Sequence, residues 1–192
     1  RHVCTFFEAY WQEKFNANVL PLRVPRDVAT IDQAMRVIEI LSSRREYTKA
    51  SPLVVLLGKG NHQITSSWVL SEDDEEDYEE ATTLGITRSN ITFLGKGKDI
   101  TTINGGFGIE NVENITFKNM TVTNTSENGT GIFVMNAKVE LFDVAFNGSS
   151  SCALYTSSSS SETTVVATRC KFANNKGGAQ VYGSLTSATF KN

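Results

Sequence analysis

A four-residue motif recurs in this chain at a spacing of 24 residues, and this recurrence restricts the possible fold more than any other feature. Asn90-Ile91-Thr92-Phe93 is repeated as Asn114-Ile115-Thr116-Phe117, and a further step of 24 reaches Lys138-Val139-Glu140-Leu141. A period of this length is typical of solenoids, in which each repeat is one winding stacked on the previous one. A second apolar segment runs out of phase with the first, at residues 131–134, 152–155 and 179–182. Each winding is therefore predicted to carry at least two short strands.

Alternate residues of the repeat are apolar, which is the pattern of a strand with one face in a core. Aligning the windings predicts four inward columns: Ile91, Ile115, Val139 and Val165; Phe93, Phe117, Leu141, Ala167 and Leu185; Met120, Val144, Cys170 and Ala188; Val122, Phe146, Phe172 and Phe190. Residue types that tolerate a left-handed backbone follow the last column. They are Asn124, Gly148, Asn174 and Asn192. Asparagines stacked at such a corner are predicted to form a ladder of side-chain hydrogen bonds.

The first 50 residues do not follow the repeat and are predicted to cap it. Residues 1–18 space five aromatic side chains along one helical face, and Thr30-Ile31-Asp32-Gln33 is a capping box that opens a second helix. Apolar spacing continues that helix toward Arg44 and Arg45, where the helix dipole favours cations. The run from Glu72 to Glu80 contains eight acids and is interpreted as a solvated loop. We expect one domain over residues 1–192, with a cap region at 1–50, coils at 51–192 and an acidic loop at 71–81.

Two segments match patterns that are common in one superfamily. Residues 24–34 (VPRDVATIDQA) followed by 53–60 (LVVLLGKG) are similar to the opening of many such proteins, and residues 89–97 (SNITFLGKG) through 102–105 match a frequent second coil. On these residues the chain resembles the pectin-lyase-like superfamily of β-helices, over about residues 24–192. The resemblance implies an all-β fold, a single-stranded right-handed parallel β-helix with an N-terminal capping helix. It does not imply one activity, because lyases, hydrolases, esterases and binding proteins share this fold.

Charge and composition exclude several classes of function. The net charge is −3 and the positive charges are dispersed, which is not the basic stripe of a nucleic-acid-binding protein. No apolar run approaches the roughly 20 residues of a membrane helix. We therefore expect neither a nucleic acid nor a membrane as partner. The three cysteines are too few and too scattered for a disulfide framework or a zinc site. Six Asn-x-Ser/Thr sequons suit a secreted glycoprotein, but turns use the same residues, so the localisation stays unknown.

The superfamily's enzymes act along a groove on the outer face of the solenoid, and each activity requires particular residues there. The clustered carboxylates of a glycoside hydrolase are missing from the coils. The two aspartates and Arg-Pro-Trp segment of pectin methylesterase-like sites are missing too. A pectate-lyase-like elimination can use an arginine as base with calcium held by acids. The alignment places Asn119, Asp143 and Arg169 in one outward column, so Arg169 and Asp143 are the catalytic candidates. The alternative interpretation of this column is a structural ion pair between neighbouring coils.

No cofactor is predicted for the leading interpretation, and calcium enters only with the lyase alternative. The metal-ligand candidates are Asp73, Asp74 and Asp77 in the acidic run, although dense like charges favour a mobile loop there.

The leading interpretation is a non-catalytic small β-helix that binds carbohydrate or protein, or serves as a structural module. A divergent polysaccharide lyase or hydrolase is the alternative. The predicted coils reach Phe190-Lys191-Asn192 without a polar cap, and solenoids need such caps. The sequence therefore also predicts that this solenoid end is covered by the N-terminal aromatic segment, by a second copy in a homo-oligomer, or by further chain.

Overall fold

The computed structural model describes residues 21–70, 78–80 and 82–192, which contain one helix and seventeen strands. The helix, α1, spans Ile31–Ser42. In chain order the strands are β1 (Leu22–Val24), β2 (Leu53–Leu57), β3 (Gly60–Gln63), β4 (Trp68–Leu70), β5 (Tyr78–Glu80), β6 (Thr83–Ile86), β7 (Ile91–Leu94), β8 (Thr101–Asn104), β9 (Gly106–Glu110), β10 (Ile115–Thr123), β11 (Ile132–Met135), β12 (Lys138–Asn147), β13 (Cys152–Ser157), β14 (Thr163–Thr168), β15 (Lys171–Ala173), β16 (Gly177–Val181) and β17 (Thr186–Lys191). In this part of the chain no helix has the length and apolarity that crossing a membrane requires.

The strands form two parallel sheets that the chain visits in turn. The larger sheet follows the order β1-β2-β7-β10-β12-β14-β17, with β3, β8 and β15 attached beside this path. The smaller sheet has the order β6-β9-β11-β13-β16. Because the chain alternates between these sheets and pairs each strand with the strand one winding earlier, the fold is a parallel β-helix, as predicted. The two strands β4 and β5 pair antiparallel as a separate hairpin.

The core consists of side chains stacked in the columns that the repeat predicts. Ile115 pairs with Ile91 on one side and Val139 on the other, and Val139 pairs with Val165. Phe117 is fully buried, and its ring lies 5.2 Å from that of Phe93 and 4.7 Å from that of Phe107. Apolar side chains that alternate along parallel strands thus fill the tube from winding to winding.

The predicted register is wrong in the last winding. Leu185 was expected in the Ala167 column, but Ala167 pairs with Phe190 and Leu185 is exposed. Ala188 pairs with Val165 instead of lying below Cys170. Phe190, expected in the Phe172 column, is the residue that pairs with Ala167. These errors have one cause: the last strand has an alanine and a phenylalanine two residues apart, and such a pair fits beside either β14 or β15 of the preceding winding. The exposed residues at this end include Val181, Tyr182, Leu185 and Phe190. Self-association through this end stays a prediction.

A left-handed residue bends three successive windings at the same place. Asn119, Asp143 and Arg169 have φ values of 57°, 51° and 52°. In β10 buried and half-exposed residues alternate before and after Asn119, but residues 118 and 119 are both half-exposed. The bend at Asn119 therefore shifts the alternation by one residue. As a result, the parts of β10 before and after the bend both direct apolar side chains into the core. Asparagine and aspartate tolerate this backbone region, whereas arginine rarely adopts it. Arg169 is therefore the unusual member of the column.

The corner asparagines do not form the continuous ladder that the alignment predicts. Asn124 is buried; its Nδ2 donates to the carbonyl oxygen of Thr130, and its Oδ1 accepts from the hydroxyls of Ser126 and of the distant Thr82. Two separate asparagine pairs bridge successive windings at 2.9 Å: Asn114 donates to Asn90, and Asn174 donates to Asn147.

Helix α1 covers the N-terminal part of the core. The Thr30 hydroxyl accepts a hydrogen bond from the backbone amide of Gln33, as the predicted capping box requires. The Gln33 side chain accepts its hydrogen bond from the amide of Ala29, one residue before the amide of Thr30 that a capping box uses. The helix ends at Ser42, before the two arginines expected in its last turn. The predicted aromatic segment at residues 1–18 lies outside the described residues. Within the predicted acidic loop 71–81, residues Tyr78–Glu80 form strand β5. The other positions of this loop, including Asp73, Asp74 and Asp77, also lie outside the described residues.

Candidate functional site

The two catalytic candidates form an ion pair on the outer surface. Arg169 donates to Asp143 through both Nε and Nη2, over 3.1 Å and 2.5 Å to the two carboxylate oxygens. Lys98 reaches the same carboxylate from another loop, with its Nζ 3.7 Å from Oδ1 of Asp143 and 3.3 Å from the carbonyl oxygen of Arg169. The alignment thus predicted the contact between successive windings correctly, and Lys98 is a member that it missed.

Mutual pairing holds both candidates in their charged forms. The hydrogen bonds from Arg169, and then its charge and that of Lys98, lower the pKa of Asp143. The hydrogen bond to Asp143 and the charge of that carboxylate raise the pKa of Arg169. A catalytic base has to release its proton near the working pH, and a raised arginine pKa opposes that role. The described residues contain no group of three or more His, Cys, Asp or Glu side chains that could hold a metal ion.

A second feature lies on the outer face of the smaller sheet, where two paired glycines form a flat surface. Gly85 of β6 pairs with Gly108 of β9. The indole of Trp68 lies directly on both: a Cβ added to Gly108 would be 2.2 Å from its Cδ2 atom, and one added to Gly85 would be 2.8 Å from its Cδ1 atom. No other residue type could therefore occupy Gly108 without moving this ring. We refer to Gly85 and Gly108 as the glycine shelf.

Three more aromatic rings continue from Trp68 along the solenoid. Ring centroids are separated by 5.2 Å from Trp68 to Phe133, 4.8 Å from Phe133 to Tyr155 and 5.3 Å from Tyr155 to Tyr182. These four residues, Trp68, Phe133, Tyr155 and Tyr182, are called the aromatic strip. The ring planes of Phe133 and Tyr155 are nearly parallel, with an interplanar angle of 16°, so the two rings stack face to face. Trp68 differs because one of its faces rests on the glycine shelf, and the residue as a whole is half-buried.

A cleft of 440 Å³ adjoins Trp68 between helix α1 and strand β6. Its lining combines the indole with charged and hydroxyl side chains: Asp32, Arg36 and Glu39 from α1, Ser66 and Ser67 from the segment before β4, and Thr87 after β6. Asp32 Oδ1 accepts from the amides of Thr65 and Ser66, and the Thr87 hydroxyl donates to Glu39 over 3.2 Å. These bonds fix the positions of both carboxylates. We call this space the helix cleft.

Reasoning from the sequence did not find Trp68, the glycine shelf or the helix cleft. Trp68 belongs to a hairpin outside the repeat, and isolated glycines within a strand give no sign of what covers them. Phe133 and Tyr155 had a detectable signal, because they alternate with the inward residues Ile132, Val134 and Leu154 and must therefore face outward.

Comparisons with known proteins add little beyond the fold. No family model matches the sequence, and no curated protein matches it. A crystal structure of a pectin methylesterase in complex with a hexasaccharide is similar to this chain, with a TM-score of 0.47 and 12% sequence identity over 91% of this chain and 67% of that one. At this level the likeness concerns the fold alone. The strand registers described above define the class of this protein, which is a parallel β-helix.

Proposed function

We propose that the protein is a non-catalytic carbohydrate-binding β-helix whose contact surface is the aromatic strip together with the helix cleft. The observation that carries the proposal is the placement of the half-buried Trp68 ring flat on the glycine shelf, beside the helix cleft that it helps to line. The C–H groups on one side of a pyranose ring are apolar and weakly positive, and they complement the negative face of an aromatic ring. An indole held flat by two glycines presents such a face without having to be ordered on binding.

Polar groups beside Trp68 suit the hydroxyls of a sugar. The indole N–H of Trp68 makes no hydrogen bond within the described part of the chain, so it is available to a ligand oxygen. In the helix cleft the exposed carboxylate of Glu39 can accept from sugar hydroxyls, while Arg36 can donate. Most ligand sites combine an apolar wall with a few fixed polar groups in this way.

Charge restricts the class of saccharide. Six carboxylates, Glu72 to Asp77, lie in the seven residues that link β4, which carries Trp68, to β5. Within the roughly 10 Å over which charges act at 0.1 M salt, the segment repels anions. The proposed ligand of the strip is therefore a neutral oligosaccharide rather than a polyuronate.

The test is a calorimetric titration with neutral probes, cellohexaose and xylohexaose, and an acidic probe, oligogalacturonate. A matched pair of variants separates stacking from folding: Trp68→Ala removes the ring on the shelf, and Ile100→Ala shortens an apolar side chain that is 44% exposed and belongs to neither the strip nor the cleft lining. We expect a neutral probe to bind, Trp68→Ala to weaken binding about tenfold or more, and Ile100→Ala to bind like the natural protein. Equal binding by both variants, or no binding of any neutral probe, would contradict the proposal.

The enzymatic alternative is a lyase with Arg169 as base. The doubly bonded pair with Asp143 speaks against it, because the arrangement stabilises the protonated guanidinium. An ultraviolet assay for unsaturated product on polygalacturonate, with and without calcium, distinguishes the two functions. We expect no turnover in either condition; turnover that disappears in Arg169→Ala would establish the lyase and reject the non-catalytic proposal.

A further inference from the structure

A separate cleft of 490 Å³ lies on the outer face of the larger sheet. Its floor follows one outward column of the windings, in which Thr121 of β10 pairs with Ala145 of β12 and Ala145 pairs with Lys171 of β15. Ala145 is the small residue of this column, and the depression exists because its side chain stops at a methyl group. Two rungs separate Thr121 from Lys171, which corresponds to about 10 Å at the usual strand spacing. We call this space the lysine cleft.

Two ammonium groups border the lysine cleft. Lys98 is held in place: its carbonyl oxygen accepts from the Thr121 hydroxyl over 2.7 Å, and its Nζ contacts Asp143 and the carbonyl of Arg169. Lys171 is exposed and makes no ion pair among the described residues. One ammonium is thus preorganised by the neighbouring ion pair, and the other is free to close on a ligand.

Amide groups occupy a third side of the cleft. Asn174 donates to Oδ1 of Asn147 over 2.9 Å, which orients the Asn147 amide. The Nδ2 group of Asn147 has no hydrogen-bond acceptor in the described part of the chain and is available to a ligand. One carboxylate, Asp99, is also in the lining. The charged side chains of the lining are thus two cations and one carboxylate, so the local balance is positive.

We propose that the lysine cleft binds the oxyanion group of a small ligand, a sulfate, phosphate or carboxylate, between Lys98 and Lys171 above Ala145. Charge-assisted hydrogen bonds from two ammonium groups and an amide N–H are the interactions that such a group requires. This site is independent of the carbohydrate surface proposed above, because it lies on the other sheet and takes the opposite class of ligand. The carbohydrate surface is proposed to take a neutral ligand, whereas the lysine cleft attracts an anion.

The experiment uses the alanine methyl groups as reporters. The protein is labelled with ¹³C at alanine methyls and titrated with sodium sulfate, sodium phosphate and sodium acetate, with sodium chloride at matched ionic strength as the reference. We expect Ala145 and Ala173, which line the cleft, to shift with saturation. The buried methyls of Ala34 and Ala153 should stay in place. The three salts show which oxyanion is preferred.

Two variants and a control decide the outcome. Lys171→Ala should weaken binding about fivefold, the effect of one unit charge at about 4 Å in water. Ala145→Leu should abolish binding because its side chain fills the floor and faces outward from the core. Lys191→Ala, an exposed lysine outside the cleft lining, should leave binding unchanged. Equal shifts with chloride, unchanged binding in Lys171→Ala, or no shift at Ala145 would each overturn the proposal. The carbohydrate titration with Trp68→Ala is unaffected by any of these results.

Discussion

Replacing Gly108 by alanine tests the role of the glycine shelf with the smallest possible change. The added Cβ would lie 2.2 Å from Cδ2 and 2.4 Å from Cε3 of Trp68. Carbon atoms in contact are ordinarily about 3.5–4.0 Å apart, so the indole has to move outward by about 1.5 Å. The backbone at Gly108 is not in the left-handed region, and alanine meets no conformational strain there. The effect is therefore confined to the ring, which leaves its flat seat and its contact with Phe133 at 5.2 Å.

We expect Gly108→Ala to weaken the binding of a neutral oligosaccharide about tenfold, close to the loss in Trp68→Ala, because a tilted indole no longer offers a fixed face. The assay is fluorescence titration in a Trp11→Phe background, in which Trp68 is the remaining tryptophan. Gly178→Ala is the matched control, since a Cβ there meets nothing within 4 Å. If Gly108→Ala bound sugar as tightly as Gly178→Ala, the shelf would not be what positions the binding surface.

Two further predictions concern stability and pH. Phe117→Ala should lower the free energy of unfolding in urea by about 3–5 kcal/mol, because the ring is fully buried, whereas Phe190→Ala at a 52% exposed position should cost far less. Pairing with Arg169 lowers the pKa of Asp143 below its unfolded value of 3.8, so the ion pair stabilises the fold above that pH and this contribution is lost as the pH falls through the lowered pKa. In melting curves from pH 7 to pH 2.5, the excess Tm of the natural protein over Asp143→Asn should be constant above about pH 5 and shrink below pH 4. A constant difference down to pH 2.5 would show that Asp143 does not stabilise through its charge.

The inward columns could be predicted because each winding uses similar residues at similar spacing. Ile91, Ile115 and Val139 follow a strict step of 24 residues, and their registers in the structure are those of the alignment. The contact between Asp143 and Arg169 was predicted by the same alignment, since side chains one rung apart on a parallel sheet can touch. For the inward columns, periodicity failed at the last strand, Thr186–Lys191, which fits two positions with equal polarity.

The candidate binding surfaces could not be predicted because they depend on residues from different windings. Trp68 meets Gly85 and Gly108 only because β6 and β9 pair in one register, and a hairpin outside the repeat brings the indole to them. The lysine cleft likewise depends on how far the loop carrying Lys98 reaches over the next two windings toward Arg169. The period of the repeat and the alternation of apolar residues predict neither the course of a loop nor the position of a hairpin inserted between windings.

The most direct test of the proposed function is the structure of the protein crystallised with a neutral oligosaccharide such as cellohexaose. The proposal predicts a pyranose ring stacked on the face of Trp68 opposite the glycine shelf, with hydroxyl groups hydrogen-bonded to the carboxylate of Glu39 in the helix cleft. A sugar bound instead across Asp143 and Arg169, or an unoccupied Trp68 beside an oligosaccharide bound elsewhere, would contradict it.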